Sequence, residues 1–356
     1  MILSERFRPA GKNELIQWIN DYCKGDRSKK PIGNWDVSHI TDMSDLFYHK
    51  TTFNEPLNNW NVSNVTTMSN MFINCRQFNQ PLDQWNVSNV TDMGNMFYNC
   101  NNFNQPLDQW NVSNVTDMSN MFDNCNNFNQ PLNNWNVSNV TNMYGMCCEC
   151  NKFNQPLDRW NVSNVTNMGW MFAYCRQFNQ PLDQWNVSNV TNMYGMFCEC
   201  NKFNQPLDRW NVSNVTTMGW MFAYCRQFNQ PLNRWNVSNV TNMGWMFAYC
   251  RQFNQPLNNW NVSKVTNMNG MFNGCTSFRQ TLRPWAINDS INWKKISNEP
   301  FIVEDLTRKM KLENKSDKIF DRVNNLPSFR NRNSNIVDNT LQNDLIKDNI
   351  KNYLHL

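Results

Sequence analysis

The stretch FNQPLDQWNVSNVTDMSNMFDNC, residues 103–125, decides the reading of this chain, because it recurs almost unchanged every 25 residues. Tryptophan marks the period, at residues 35, 60, 85, 110, 135, 160, 185, 210, 235, 260 and 285. A fixed period of this length is the signature of a solenoid whose stacked rungs close a core that no single rung could close. The repeat therefore overrides what 356 residues would otherwise suggest about domain count.

Within the rung the apolar positions are Phe103, Leu107, Trp110, Val112, Val115, Met118, Met121, Phe122 and Cys125. Nearly everything between them is Asn, Gln, Asp, Ser or Thr. Trp110 and Val112 are spaced by two, with Gln109 and Asn111 on the other side, which predicts a short strand from Leu107 to Val112. Met118, Met121, Phe122 and Cys125 fall at i, i+3, i+4 and i+7, one face of a two-turn helix, with Thr116-Asp117 ahead of it as an N-cap. Pro106 suits a corner. Recurrent Asn104, Asn111 and Asn114 are placed to bridge successive rungs and to bond backbone groups left unpaired at corners. The expected architecture is an α/β repeat solenoid of about ten rungs, each with a short strand and a short helix, and a parallel sheet along one face.

The run W-N-V-S-N-V-T-x-M-x-x-M-F, as in Trp110–Phe122, resembles the repeat of the BspA-like leucine-rich-repeat surface proteins, a family met in mycoplasma and other bacterial lipoproteins and in large DNA viruses of amoebae. The likeness covers roughly residues 31–290. It implies a leucine-rich-repeat-like solenoid with an interaction or adhesion role. The Asn-, Lys- and Ile-rich tail is similar in composition to proteins of low-GC genomes, those viruses included.

Three segments follow: an N-terminal helical cap over 1–30, the solenoid over 31–290, and a C-terminal helical cap or tail over 291–356. Leu15, Trp18, Ile19 and Tyr22 sit at helical spacing, as an amphipathic cap requires. At the other end Arg279 replaces the usual Asn and Thr281 the usual Pro, and the motif is lost between Ala286 and Trp293. Beyond it, Val337, Leu341, Leu345, Ile346, Ile350 and Leu354 recur at roughly helical spacing, so residues 294–356 suit a cap, a self-association element or a tail.

Charge is nearly balanced, 32 Lys+Arg against 28 Asp+Glu, with no nucleic-acid or membrane footprint. The start has no export signal and no apolar run reaches membrane-spanning length, so the expected location is the cytoplasm, or the host cytoplasm or virion if the gene is viral. Of thirteen cysteines, Cys75, Cys100, Cys125, Cys150, Cys175, Cys200, Cys225, Cys250 and Cys275 occupy one repeat position and are expected as buried free thiols. The denser group Cys147, Cys148, Cys150, Cys198 and Cys200 is spread over too many rungs to hold one zinc ion. Three histidines, no nucleophile–base pair and no phosphate-binding loop leave no catalytic candidate and call for no cofactor.

Variation between rungs is the remaining signal. Residues 144–193 and 194–243 differ only at 147, 167, 183 and 184, so a two-rung unit was duplicated with its surface intact. Early rungs carry Asn70/Asn74, Asn95/Asn99 and Asn120/Asn124; later ones carry Trp170/Tyr174, Trp220/Tyr224 and Trp245/Tyr249, read as i, i+4 pairs on the outward face of the helix. Arg176, Arg226 and Arg251 flank them, and Arg159, Arg209 and Arg234 replace Gln or Asn just ahead of the core Trp. These twelve residues are the expected partner-binding positions, since Trp, Tyr and Arg dominate interface hot spots. The expected function is a non-enzymatic protein–protein scaffold. Its alternatives are a self-assembling particle component and a glycan or host-surface adhesin.

Overall fold

The computed structural model describes residues 7–324, Lys30 and Asp289 excepted, and shows a continuous solenoid whose rungs stack in register by 25 residues. The nine apolar columns predicted from the rung are the core: Phe103, Leu107, Trp110, Val112, Val115, Met118, Met121, Phe122 and Cys125 are each at most 3% exposed. Equivalent rings stack along the axis, as in Phe72–Phe97–Phe122 with centroids 5.5 and 5.7 Å apart and planes within 3°.

The interior of the rung differs from the expected strand and helix. No extended strand forms among the described residues; neighbouring rungs meet in a parallel ladder one residue wide, Asp42↔Thr67↔Asp92↔Asp117 and on to Asn267. The residue read as part of a helix N-cap, Asp117, is thus the bridging residue. Thr116 N–H donates back to Thr91 O (2.8 Å) and Met118 N–H forward to Asn142 O (3.0 Å). The segment read as a strand is a turn, closed by Trp110 N–H on Leu107 O (3.0 Å).

The segment read as a helix is a train of tight turns. Met121, Asp123 and Cys125 donate three residues back, to Met118 O, Asn120 O and Phe122 O. The alternate amides of Asn120, Phe122 and Asn124 donate along the solenoid axis to Tyr144 O, Met146 O and Cys148 O (2.7, 2.9 and 2.8 Å). Asn120 and Asn124 have φ of 51° and 57°, a left-handed conformation at every fourth residue that ends any α-helix before it propagates. An L-residue there costs about 1–2 kcal/mol, least for Asn, which explains the asparagine columns. Two linked turns place residues i, i+3, i+4 and i+7 inward just as a helix would.

Side chains tie rungs together where backbone does not. Trp110 Nε1–H donates to Leu82 O (3.0 Å) and Cys125 Sγ to Phe97 O (3.0 Å) in the core. Asn104 Oδ1 accepts from Asn129 N–H (2.9 Å), and Asn114 Nδ2 donates to Ser88 O (2.7 Å). Asn111 instead closes its own turn, accepting from Ser113 N–H.

Both ends of the array are covered. Helix α1 (Lys12–Cys23) buries Leu15, Ile19 and Tyr22, and sets Trp18 and Tyr22 edge-on to Trp35, with centroids 5.6 and 5.9 Å away. After the last rung, Lys295 O and Ile296 O accept from Gly270 and Phe272 N–H, prolonging the ladder. Helix α2 (Pro300–Asn324) then buries Ile302 and Leu306. Its buried Asp305 accepts from Leu282 N–H (2.8 Å), Arg283 Nε (3.0 Å) and Thr281 Oγ1 (3.1 Å), so Thr281 departs from the repeat to meet the cap. The apolar spacing from Val337 to Leu354 lies outside the described residues.

Candidate functional site

Two columns of left-handed residues define one face of the solenoid. In the early rungs they carry asparagine amides that bond up the axis: Asn95 Nδ2 to Asn70 Oδ1 (3.0 Å), Asn120 Nδ2 to Asn95 Oδ1 (3.1 Å) and Asn99 Nδ2 to Asn74 Oδ1 (2.7 Å). The same face then changes character. Gly145 and Glu149 end the amide ladders, and Trp170, Tyr174, Trp220, Tyr224, Trp245 and Tyr249 take over with φ between 57° and 61°. Bulky residues seldom adopt this conformation, and they keep it only where their surroundings fix the backbone. Here the inter-rung main-chain bonds do so: Trp220 N–H reaches Gly244 O (2.9 Å) and Tyr224 N–H reaches Ala248 O (2.7 Å).

The six aromatic residues do not stand fully exposed on a helix face, as the spacing suggested. They are half-buried, packed over a small second cluster of Ala173, Cys198, Ala223 and Ala248, with Cys148 beside it. Trp220 stacks on Trp245 with centroids 5.3 Å apart and planes 18° from parallel; Tyr224 stacks on Tyr249 at 4.6 Å and 12°. Trp170 leans on Tyr194 at 5.5 Å. The glycines of the face make room for these rings. A methyl on Gly195 would lie 2.7 Å from Trp170 Cδ2, one on Gly270 2.9 Å from Trp245, and one on Gly274 2.6 Å from Tyr249. Burial raises the pKa of Tyr174 and Tyr224, so their hydroxyls stay neutral donors at physiological pH.

The arginines divide between two places. Arg176, Arg226 and Arg251 are exposed at the corner that follows the aromatic columns. Arg176 Nη2 lies 3.7 Å from Glu199 Oε2, while Arg226 is near enough to Tyr224 to lower its pKa against the dominant effect of burial. Arg159, Arg209 and Arg234 are also exposed but belong to the segment entering the core Trp. That segment faces the aromatic one across the core, where Phe172 packs on Trp185. Arg234 pairs there with Asp208 (3.7 Å). The structure therefore brings nine of the twelve expected positions onto one face and leaves these three apart.

Sequence reasoning missed Asp123. Its half-buried carboxyl sits in the column that later holds Cys148, Ala173 and Cys198, and burial together with Glu149 pushes its pKa up to about 7, against a hydrogen bond from Cys148. The one available signal was its place in a column that is otherwise apolar or small, from Tyr48, Ile73 and Tyr98 to Cys148 and Ala173. Among the described residues all thirteen cysteines are free, with Cys147 and Cys150 in the core and Cys148 under the aromatic face. No helix of the described residues is long and apolar enough to cross a membrane.

No curated protein matches the chain. Among solved structures, a similar one is titled "Crystal structure of TLR13-ssRNA13 complex", at 9% identity and a TM-score of 0.22, covering 75% of this chain and 55% of that one. A family model matches in three overlapping tandem segments, 17–132, 105–210 and 191–301, that together run through most of the solenoid. The chain belongs to the repeat family described as "Mycoplasma protein of unknown function, DUF285".

Proposed function

We propose that this chain is a non-enzymatic scaffold that binds a protein partner through the face of its rungs between Tyr144 and Arg251, a role in keeping with kinship to BspA-like leucine-rich-repeat surface proteins. One observation carries the reading. Rungs that copy one another in their core and amide columns change residue class in the columns of Ser119, Asn120, Asp123 and Asn124, all on one face. There, six rings replace asparagine where the backbone favours asparagine by about 1 kcal/mol or more. Ring stacking and half-burial offset that cost but do not require the exchange, since asparagine and glycine rungs stack in the same register without rings, whereas Trp, Tyr and Arg are the residues that dominate interface energetics. Ring packing favours a protein over a glycan: Trp220 and Trp245, and Tyr224 and Tyr249, turn faces to one another, and Trp170, Trp245 and Tyr249 lie over glycines, which leaves fewer free faces for sugar rings. The covered ends support a binding scaffold over end-to-end assembly.

The test is the double substitution Trp220→Asn with Trp245→Asn, which restores the residue carried by Asn70, Asn95 and Asn120. Circular dichroism and melting should stay near wild type. Proteins retained from a host lysate should be lost, with affinity of a purified partner falling roughly thirtyfold, the scale of hot-spot truncation. A variant that keeps every partner but melts far below wild type would make the rings structural and overturn the proposal.

A further inference from the structure

Beside the aromatic columns runs a row of cations. Arg176, Arg226 and Arg251 occupy one repeat position and Lys152 and Lys202 the next, so that five consecutive rungs each carry an exposed cation at the same corner. The corner is in register from rung to rung: Lys152 Nζ donates to Asn127 Oδ1 (2.7 Å) and Thr276 Oγ1 to Arg251 O (3.5 Å). At roughly 4.8 Å per rung the row is about 20 Å long, the reach of about six residues of extended polypeptide.

Neutralisation along the row is incomplete. The two carboxylates of the adjoining left-handed column in these rungs are Glu149 and Glu199, and Glu199 is paired with Arg176. The residues that would pair in the same way with Arg226 and Arg251 are one rung on, at Tyr249 and Gly274, and neither is acidic. Among the described residues Arg226 and Arg251 form no ion pair, so the positive potential is strongest where the Trp220–Trp245 and Tyr224–Tyr249 stacks lie.

Three kinds of anionic polymer could meet such a row. Single-stranded nucleic acid gains its affinity by stacking bases on free aromatic faces, and acidic glycans need those same faces for their sugar rings. At the end of the row where Arg226 and Arg251 lie unpaired, two rings are closed on both sides: Trp245 lies between Trp220 and Gly270, and Tyr249 between Tyr224 and Gly274. An acidic peptide needs none of this. Its carboxylates meet the cations, and its apolar side chains and backbone meet ring edges and tyrosine hydroxyls. We infer that the partner face binds an extended acidic polypeptide segment lying along the solenoid axis, with its carboxylates on Lys152, Arg176, Lys202, Arg226 and Arg251. This inference rests on the binding role proposed above and specifies the chemistry of the partner.

Fluorescence anisotropy with a fluorescein-labelled decaglutamate peptide tests it, against a decaglutamine peptide, a ten-nucleotide thymidine strand and a heparin decasaccharide. The full chain should bind decaglutamate in preference to the other three, and binding should weaken severalfold between 50 and about 300 mM salt as screening shortens the Debye length. The triple variant Arg176→Asn, Arg226→Asn, Arg251→Asn places in each rung the residue already present at Asn101, Asn126 and Asn201. It should keep the wild-type melting temperature and lose about tenfold or more in affinity. A control, Arg159→Gln, Arg209→Gln, Arg234→Gln, removes equal charge from the segment across the core and should change affinity less than about twofold. Equal losses in both triple variants, no loss in either, or tighter binding of the thymidine strand or the heparin fragment would overturn the inference. If the arginine variant retains a partner that the Trp220/Trp245 variant loses, the acidic-segment inference fails while the binding role stands; if neither variant loses it, both fail.

Discussion

Replacing Gly195 by alanine tests how the aromatic face is built. Gly195 has φ of 65°, and a methyl there would stand 2.7, 2.8 and 3.0 Å from Cδ2, Cε3 and Cε2 of Trp170. Two costs follow. Alanine in the left-handed region costs about 1 kcal/mol relative to glycine, and the ring must be pushed aside, an overpacking cost of about 1–3 kcal/mol. The ring does have an alternative arrangement, since Trp220 is met by Trp245 and not by glycine, and stacks on it. That places the total at about 2–4 kcal/mol. In a Trp170→Asn background only the backbone cost should remain, so a double-mutant cycle from urea midpoints should show a coupling of about 1–2 kcal/mol. Hydrogen exchange should localise the loosening to the rungs of Trp170 and Gly195, because solenoid rungs couple to their neighbours. If Gly195→Ala costs the same with and without the indole, the ring does not lie over Gly195 and the account of this face is wrong.

Three further outcomes follow from the core and from the acid it half-buries. Trp160→Ala removes a ring stacked on Trp185 and a bond from Nε1 to Leu132 O (2.9 Å); it should cost about 3–5 kcal/mol, with protection lost first in adjacent rungs by hydrogen exchange, and an unchanged pattern would contradict the inward role. The ladder thiols, held up by burial, should resist a thiol reagent in the native chain while exposed Cys23 reacts first; fast labelling at Cys100 or Cys125 would refute the packing. Asp123, with a folded pKa raised to about 7 over an unfolded value near 3.9, keeps its proton in the native state after the unfolded chain has released it. The contribution of this group should therefore be fully present below about pH 4, fall by about 4 kcal/mol between pH 4 and 7, and level off above; Asp123→Asn should flatten that segment of the urea-midpoint profile, and a profile the variant leaves unchanged would rule the assignment out.

The core was legible because a repeat states each apolar position ten times over, and position alone decides what is buried. Rung conformation was not, because the inward set Met118, Met121, Phe122 and Cys125 satisfies two linked turns as well as it satisfies a helix. The deciding signal was the content of the intervening columns. Asn120 exchanges with Gly145, Gly195 and Gly270, and Asn124 with Gly274, and a column that alternates asparagine with glycine is one where the backbone is left-handed. For the strand, the spacing of Trp110 and Val112 described side-chain direction correctly but not backbone pairing, which depends on which amides have a neighbouring rung to bond. The aromatic columns were found as a surface feature; their half-burial was not, because it arises from contacts between rungs that no single rung's pattern contains.

A rung built from turns and axial bonds separates what holds the molecule together from what it displays. Stacking is carried by main-chain N–H groups, by the Trp and Cys donors in the core, and by the amides of Asn104 and Asn114. The columns of Asn120 and Asn124 add side-chain bonds only in the early rungs, as amide ladders such as Asn95 on Asn70 and Asn99 on Asn74, and the later rungs stack without them. Once the axial bonds of neighbouring rungs fix the left-handed backbone, the residue placed there can be asparagine, glycine, tryptophan, tyrosine or glutamate without altering the path of the chain, provided the next rung leaves room, as Gly195 does for Trp170. Duplication of a two-rung unit then lengthens the core and repeats the display together, which is how the Trp170 and Trp220 rungs came to carry the same rings and the same corner arginine. The face can therefore diversify at little cost to the fold, and it is there that a change of partner would be written.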